Sequence, residues 1–145
     1  IMSLKDGAKK MSKSELSDLS RINLTDDKDQ IINKIKKAKT DPLPMPETIK
    51  ELDERLEAKN LLGIYASLSN TTMEKSVENF VGKNFSEFKE KLSEVVTDKI
   101  EPISLEIKKL LAEPSYLDKI LLEGVEKADL IASKKIKRIK EIVGF

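Results

Sequence analysis

The stretch from Phe85 to Ala112 limits this chain more than any other, because Phe88, Leu92, Val96, Ile100, Ile103, Ile107 and Leu110 recur in steps of three and four. That period gathers them on one face of an α-helix and would scatter them over both faces of a strand. A long central helix is therefore expected, and a mainly α architecture with it. Pro102 removes one backbone donor and crowds the preceding turn, which predicts a kink near Lys99–Glu101 rather than a domain break. Glu113-Pro114-Ser115 ends the segment.

The same period recurs on either side. Asp26 or Asp27 can cap a helix, with Gln30 completing an Asp-x-x-Gln pattern and Ile31, Ile32, Ile35 and Ala38 marking its face up to Thr40-Asp41. Pro42, Pro44 and Pro46 impose extended backbone on a linker or surface crossing. Thr48-Ile49-Lys50-Glu51 reads as a capping box opening a second, surface helix with a thin stripe of Ile49, Leu52 and Leu56. Asn60 can cap a third, in which Leu61, Leu62, Ile64, Tyr65 and Leu68 are dense enough to be buried on more than one side. Thr71-Thr72-Met73-Glu74 starts a short helix with Met73, Val77, Phe80 and Val81 on one face, ended by Gly82. The last stretch carries Leu117, Ile120, Leu121, Val125, Ala128, Ile131 and Ala132, then Ile136, Ile139 and Val143, with Gly124 allowing a close neighbour. Phe80, Phe85 and Phe88 are spaced as a packed face and read as core, since a base-stacking platform needs a sheet.

Composition narrows the chemistry. A chain of 145 residues suffices for one domain with a sizeable core. The absence of Cys rules out disulfides and thiolate metal sites, and the absence of His rules out Ser-His triads, imidazole acid-base work and histidine metal sites within these residues. A net charge of +1 argues against wholesale attraction to nucleic acid, so any RNA contact must be local. No apolar run approaches membrane-spanning length and no secretory signal is visible.

Near the start, Lys9-Lys10-Met11-Ser12-Lys13-Ser14 concentrates ammonium and hydroxyl donors able to surround a phosphate. Asp6 and Gly7 precede it and Ser17 and Asp18 follow, so a flexible loop that closes and opens is expected. The plainer reading is a solvated loop, with Ser12-Lys13-Ser14-Glu15 as a capping box starting a helix. Lys134, Lys137, Arg138 and Lys140 form a basic arc set opposite Ile136, Ile139 and Val143, and Lys34, Lys36, Lys37 and Lys39 a second cluster. Each is first of all an ordinary amphipathic helix end and second a footprint for a phosphate backbone, which positions RNA without identifying it.

The order Lys10-Met11-Ser12-Lys13-Ser14 matches the KMSKS signature of class I aminoacyl-tRNA synthetases letter for letter. Ile1-Met2-Ser3-Leu4, Ala38-Lys39-Thr40-Asp41, Asn60-Leu61-Leu62-Gly63-Ile64-Tyr65 and Ile142-Val143-Gly144-Phe145 accompany it in order. Together they resemble the carboxy-terminal half of the tryptophanyl-tRNA synthetases from end to end. Glu15 stands where the family usually has Asp, and Ala8 where Thr is common; neither removes a charge from the loop.

The resemblance implies a helical, anticodon-binding-type bundle over 26–145, preceded over 1–25 by the last strand and KMSKS loop of a missing α/β nucleotide-binding domain. It implies ATP with Mg2+ as substrate and no protein-bound metal here, L-tryptophan as second substrate, and the tRNA for tryptophan as partner. By matching positions, Lys10 and Lys13 are the catalytic lysines that meet the leaving pyrophosphate. Met11, Ser12 and Ser14 complete the ATP-binding loop, and the backbone of Ile1 lies against the base. The basic arc is the weaker tRNA-binding candidate. The family's second signature contains histidines and lies upstream, and the chain opens abruptly at Ile1, so a fragment inactive on its own is expected. The intact enzyme is expected to be a homodimer, cytoplasmic or in an organellar matrix, and the fragment a monomer. Neither membrane nor DNA is an expected partner. The alternative is a freestanding helical RNA-binding or protein-interaction module whose Lys/Ser loop is incidental.

Overall fold

In the computed structural model, which describes residues 1–144, the chain starts as a two-stranded antiparallel hairpin. Strand β1 (Met2–Ser3) pairs with β2 (Asp6–Lys10), Met2 opposite Lys10 and Ser3 opposite Asp6, with a bulge between Met2 and Ser3. Lys9 and Lys10 thus belong to a strand, not to the flexible loop their composition suggests. Packing overrides propensity here. A Cβ on Gly7 would lie 2.6–2.7 Å from the backbone of Leu56 and Glu57, so the hairpin can press this close only through a glycine.

A short 3₁₀ helix, Asp18–Ser20, leads to α1 (Lys28–Lys36). Asp27, rather than Asp26, is its cap. The Gln30 amide donates to Asp27 Oδ1 and the Asp27 amide to Gln30 Oε1, both at 2.9 Å. Ile31, Ile35 and Ala38 enter the core as their spacing requires. The proline stretch bends at Pro42, Leu43 and Met45, with the Leu43 amide donating to Asp41 Oδ1 at 3.0 Å, and it does more than cross the surface. Met45 and Pro46 are fully buried, and the Met45 amide donates to the Lys83 carbonyl at 2.8 Å.

The Thr48/Glu51 capping box forms, but it opens a 3₁₀ helix, Ile49–Asp53, instead of an α-helix. Leu52 is buried, while Ile49 and Leu56 are exposed. Helix α2 (Leu56–Leu68) then begins four residues before Asn60, so Asn60 sits inside the helix and caps nothing. Its side chain has another task, described below. Leu61, Leu62 and Ile64 are buried, as their density suggests, and Asn70 (φ 52°) turns the chain after α2.

Thr72 caps α3 (Met73–Phe80) by accepting from the Lys75 amide at 3.3 Å, and Gly82 at φ +68° follows its end. Val81, just past the helix, faces solvent instead of joining Val77 and Phe80. Tyr65, Phe80 and Phe88 meet edge to face, with centroids 4.8 Å apart for Phe80–Phe88 and 4.9 Å for Tyr65–Phe80. The aromatics are core, as their spacing predicts.

The periodic run forms α4 (Phe85–Leu111), continuous through Pro102. Phe85, Phe88, Leu92 and Val96 are buried, but Ile103 is exposed, so the stripe outlasts the core it packs against. Helix α5 (Pro114–Val143) places Pro114 in its first turn, where a missing N–H costs nothing, and ends at Gly144 with φ +84°. No residue of α5 is buried, and a Cβ on Gly124 would meet nothing within 4 Å, contrary to the close approach expected there. The chain divides into two compact units, Ile1–Leu105 and Glu106–Phe145. Phe145, last of the closing family-like residues, lies outside the described residues.

Candidate phosphate-binding loop

The hairpin is fixed from several sides. The Leu4 amide donates to the Ser20 carbonyl at 2.9 Å, and the Lys39 amide to the Leu4 carbonyl at 2.7 Å, which ties β1 to the 3₁₀ turn and to the end of α1. Beyond β1, the Met11 amide donates to the Ile1 carbonyl at 3.4 Å. Met11 packs against the core, so the loop is anchored at the second letter of its motif.

From Met11 the backbone has left the strand, and it turns at Lys13 and Ser14. Ser12 Oγ lies 2.9 Å from Ser14 Oγ and accepts from the Ser14 amide at 3.3 Å. This serine turn uses the bonds a capping box would need, and no helix starts at Ser12. Lys13 stands at its exposed tip. Among the described residues neither Lys10 nor Lys13 is ion-paired, whereas Lys9 lies 3.5 Å from Asp6.

Ile1, Lys10, Met11, Ser12 and Lys13 line one open hollow of about 730 Å³, together with Arg21, Ile22, Asn23 and Leu24. Ser14 is not in its wall but shapes the turn through Ser12. A second hollow of about 260 Å³ shares Lys10 and Ser12 and adds Lys5, Lys9, Asp6 and Glu15. Arg21 is the cation that sequence reasoning missed. It stands seven residues beyond Ser14, outside the motif, and only the return of the chain through the 3₁₀ turn brings it to Lys10 and Lys13.

Two acids near the loop are held ionised. The Ala8 amide bonded to Asp6 keeps that carboxyl below its usual range against the opposing effect of burial, and Lys9 adds to the lowering. Asp18 is lowered chiefly by its hydrogen bond from Lys34, then by Asn23, with burial opposing.

The candidate RNA footprints change on folding. Lys34 is buried 2.6 Å from both Asp18 and Asp26, and Lys39 pairs with Glu57 at 2.7 Å, which leaves Lys36 and Lys37 as the exposed, unpaired members of that cluster among the described residues. On α5, Lys134, Lys137, Arg138 and Lys140 are all exposed. Lys137 and Lys140, however, share a helix face with Ile136, Asp129 and Glu141, so the arc borders the apolar side instead of opposing it. The reason is angular: residues four apart lie close together on a helix.

With this geometry in view, residues 1–101 match the family described as tRNA synthetases class I (W and Y), and the chain belongs to that family. Over all 145 residues it is 48% identical to the tryptophan–tRNA ligase of Brucella melitensis biotype 1, covering 41% of that protein. It is 50% identical to those of Agrobacterium fabrum and Rickettsia felis, covering 41% and 43% of them. The chain thus spans about two fifths of the length of these curated relatives. Its fold is similar to the crystal structure of tryptophanyl-tRNA synthetase from Mycoplasma pneumoniae, with a TM-score of 0.61 and 26% identity over 75% of this chain and 35% of that one. The mostly helical architecture fits the carboxy-terminal part of such proteins. Among the described residues no helix is long and apolar enough to cross a membrane.

Proposed function

We propose that this chain is the carboxy-terminal part of a tryptophan–tRNA ligase, with residues 1–25 completing its catalytic domain and 26–145 binding the anticodon region of tRNA. One observation carries the reading. The family's lysines, Lys10 and Lys13, line a single hollow with Ile1 and Ser12, and among the described residues neither is spent on a carboxylate. Family membership through residues 1–101, which include the loop, favours this over a freestanding module.

The chemistry follows from charge. The tryptophan carboxylate attacks the α-phosphorus of ATP, the bond to pyrophosphate breaks, and negative charge builds on the departing oxygens. Ammonium groups that meet this charge more closely in the transition state than in bound ATP lower the barrier. Lys13, at the tip of the serine turn, is the better placed to move, and Lys10, on β2, supplies a fixed charge. Ser12 and Ser14 hold the turn or donate to phosphate, and Met11 anchors it. The Ile1 backbone lies against the base while its carbonyl, bonded to the Met11 amide, keeps nucleotide site and loop in register. Mg2+ arrives with ATP. The adenylate is then consumed by transfer to tRNA.

The remaining partners follow from the same reading: L-tryptophan bound elsewhere in a homodimeric, cytoplasmic or organellar enzyme, and this chain, alone, a monomer without adenylate-forming activity. The test is tryptophan-dependent ATP–pyrophosphate exchange by the full-length protein, wild type against Lys13→Ala. Loss of one preorganised electrostatic contact of about 3 kcal/mol predicts a fall of roughly two orders of magnitude in kcat with folding unchanged. An indifferent variant sinks the assignment, and exchange by the isolated chain sinks its predicted inactivity.

A further inference from the structure

The trailing end of the loop is tied by a residue that no motif marks. Arg21 reaches back six residues, where its Nη1 donates to the carbonyl oxygen of Glu15, the residue directly after Ser14, at 2.8 Å. Its Nε donates to Asn23 Oδ1 at 3.2 Å, and its Nη2 pairs with Asp18 Oδ1 at 3.2 Å. Three acceptors in three directions fix the guanidinium plane.

Those acceptors are themselves held. Asn23 Nδ2 donates to Asp18 Oδ1 at 3.0 Å and to Asp26 Oδ1 at 3.3 Å, and the Asn23 amide donates to Asp26 Oδ2 at 2.8 Å. Lys34 Nζ stands 2.6 Å from Asp18 Oδ2 and from Asp26 Oδ2. Lys34 lies in α1 beside the fully buried Ile31 and Ile35. An unbroken set of contacts therefore runs from the core face of α1 to the Glu15 carbonyl.

We propose that Arg21 is a positioning residue for adenylate formation: it pins the exit of the loop, so that Lys13 swings on a hinge fixed at Met11 on one side and Glu15 on the other. The proposal rests on the reading of Lys13 as a pyrophosphate contact. A loop loose at Glu15 spends less time with Lys13 on the developing charge, which weakens the transition state without touching tryptophan binding. Arginine suits the task because its planar fork serves several acceptors at once. Lysine keeps the charge but offers only a point donor.

Arg21 also lines the hollow with Lys10 and Lys13, so the decisive variant is Arg21→Lys, which preserves a cation there. Exchange is measured in the full-length protein for Arg21→Lys, Lys13→Ala and the double variant, with thermal melting of each. The expected result is a fall of about ten-fold in kcat for Arg21→Lys at unchanged KM for tryptophan, as for a misplaced catalytic group. In the Lys13→Ala background Arg21→Lys should then cost almost nothing further, because both act through one loop. Should Arg21→Lys lower the melting temperature, Asp18→Asn replaces it. That change removes the charged acceptor of Arg21 Nη2, leaves Asp26 as the carboxylate partner of the buried Lys34, and should show the same non-additive loss. Wild-type kcat in Arg21→Lys shows that charge alone suffices and overturns the proposal, as does a loss that multiplies with that of Lys13→Ala. An indifferent Lys13→Ala instead overturns the pyrophosphate reading itself and the proposal with it.

Discussion

Asn60, in the middle of α2, closes its amide on the backbone of Met2, fifty-eight residues away. The Met2 amide donates to Asn60 Oδ1 at 2.9 Å, and Asn60 Nδ2 donates to the Met2 carbonyl at 3.0 Å and the Ser3 carbonyl at 3.3 Å. A single side chain thus does for β1 what a neighbouring strand would, and it does so beside the Ile1 carbonyl that receives the loop.

Asn60→Asp tests this directly. The oxygen replacing Nδ2 would face two carbonyl oxygens, leaving acceptors without donors. Unfolding in urea should show a loss of about 0.5–1.5 kcal/mol, the usual net worth of a hydrogen bond open to water, and Asn60→Ala should cost less than Asn60→Asp. Equal stability of Asn60→Asp and wild type would mean that the bond pair does not hold β1.

The hairpin's other constraint is steric. An added Cβ on Gly7 would stand 2.6 Å from the Leu56 carbonyl carbon and 2.7 Å from the Glu57 nitrogen, backbone atoms that cannot rotate away. Gly7→Ala should therefore destabilise by about 1–3 kcal/mol, in the range of an overpacked core. Gly124→Ala, with nothing near it in α5, should do the opposite and add up to about 1 kcal/mol through helix propensity. Urea titration of both variants makes the comparison internal, and a Gly7→Ala protein as stable as Gly124→Ala would refute the close approach.

A pH dependence follows from Lys39 and Glu57, 2.7 Å apart between the end of α1 and the start of α2. The hydrogen bond from Lys39 comes first in holding the Glu57 carboxyl below its ordinary 4.5, against burial, and the same bond raises Lys39 above 10.5. The contribution of the lowered carboxyl is complete above pH 4.5 and disappears as pH falls through the folded value. That of the raised ammonium is complete below pH 10.5 and disappears as pH rises through its folded value. Glu57→Gln should thus flatten both the acid and the alkaline arms of a stability–pH curve. Parallel curves for variant and wild type would remove the pair from the account.

Local patterns are legible in the sequence and long-range ones are not. The Asp27/Gln30 and Thr48/Glu51 boxes, the break at Pro114 and the buried faces of α3 at Val77 and Phe80 and of α4 at Phe88 and Leu92 all follow from residues within a turn or two of each other. Asn60 misleads because a polar residue before an apolar run signals a cap locally, while its true partner lies at the far end of the chain. Lys34 looks like one more surface lysine for the same reason, since Asp18 and Asp26 are brought to it only by folding. The motif Lys10–Ser14 is readable as letters. That its first residue, Lys10, ends a strand is not, because the strand is held by the contact of Gly7 with α2.

The basic arc on α5 supplies the last prediction. Lys134, Lys137, Arg138 and Lys140 are exposed, but Asp129 and Glu141 share the face of Lys137 and Lys140, so fewer than four phosphate contacts are to be expected. Changing all four to Gln in the full-length protein should lower the slope of log affinity for tRNA against log salt by roughly 0.7–0.9 for each phosphate no longer neutralised. The preference for one tRNA over another should stay as it was, because phosphate contacts carry no base information. The double change Lys36→Gln with Lys37→Gln asks the same of the end of α1, where Lys34 and the following Lys39 are already committed to carboxylates. Filter binding across a salt series separates the two surfaces. A slope unmoved by the α5 changes would make that arc an ordinary solvated helix face, and a slope moved only by the α1 changes would transfer the footprint to Lys36 and Lys37.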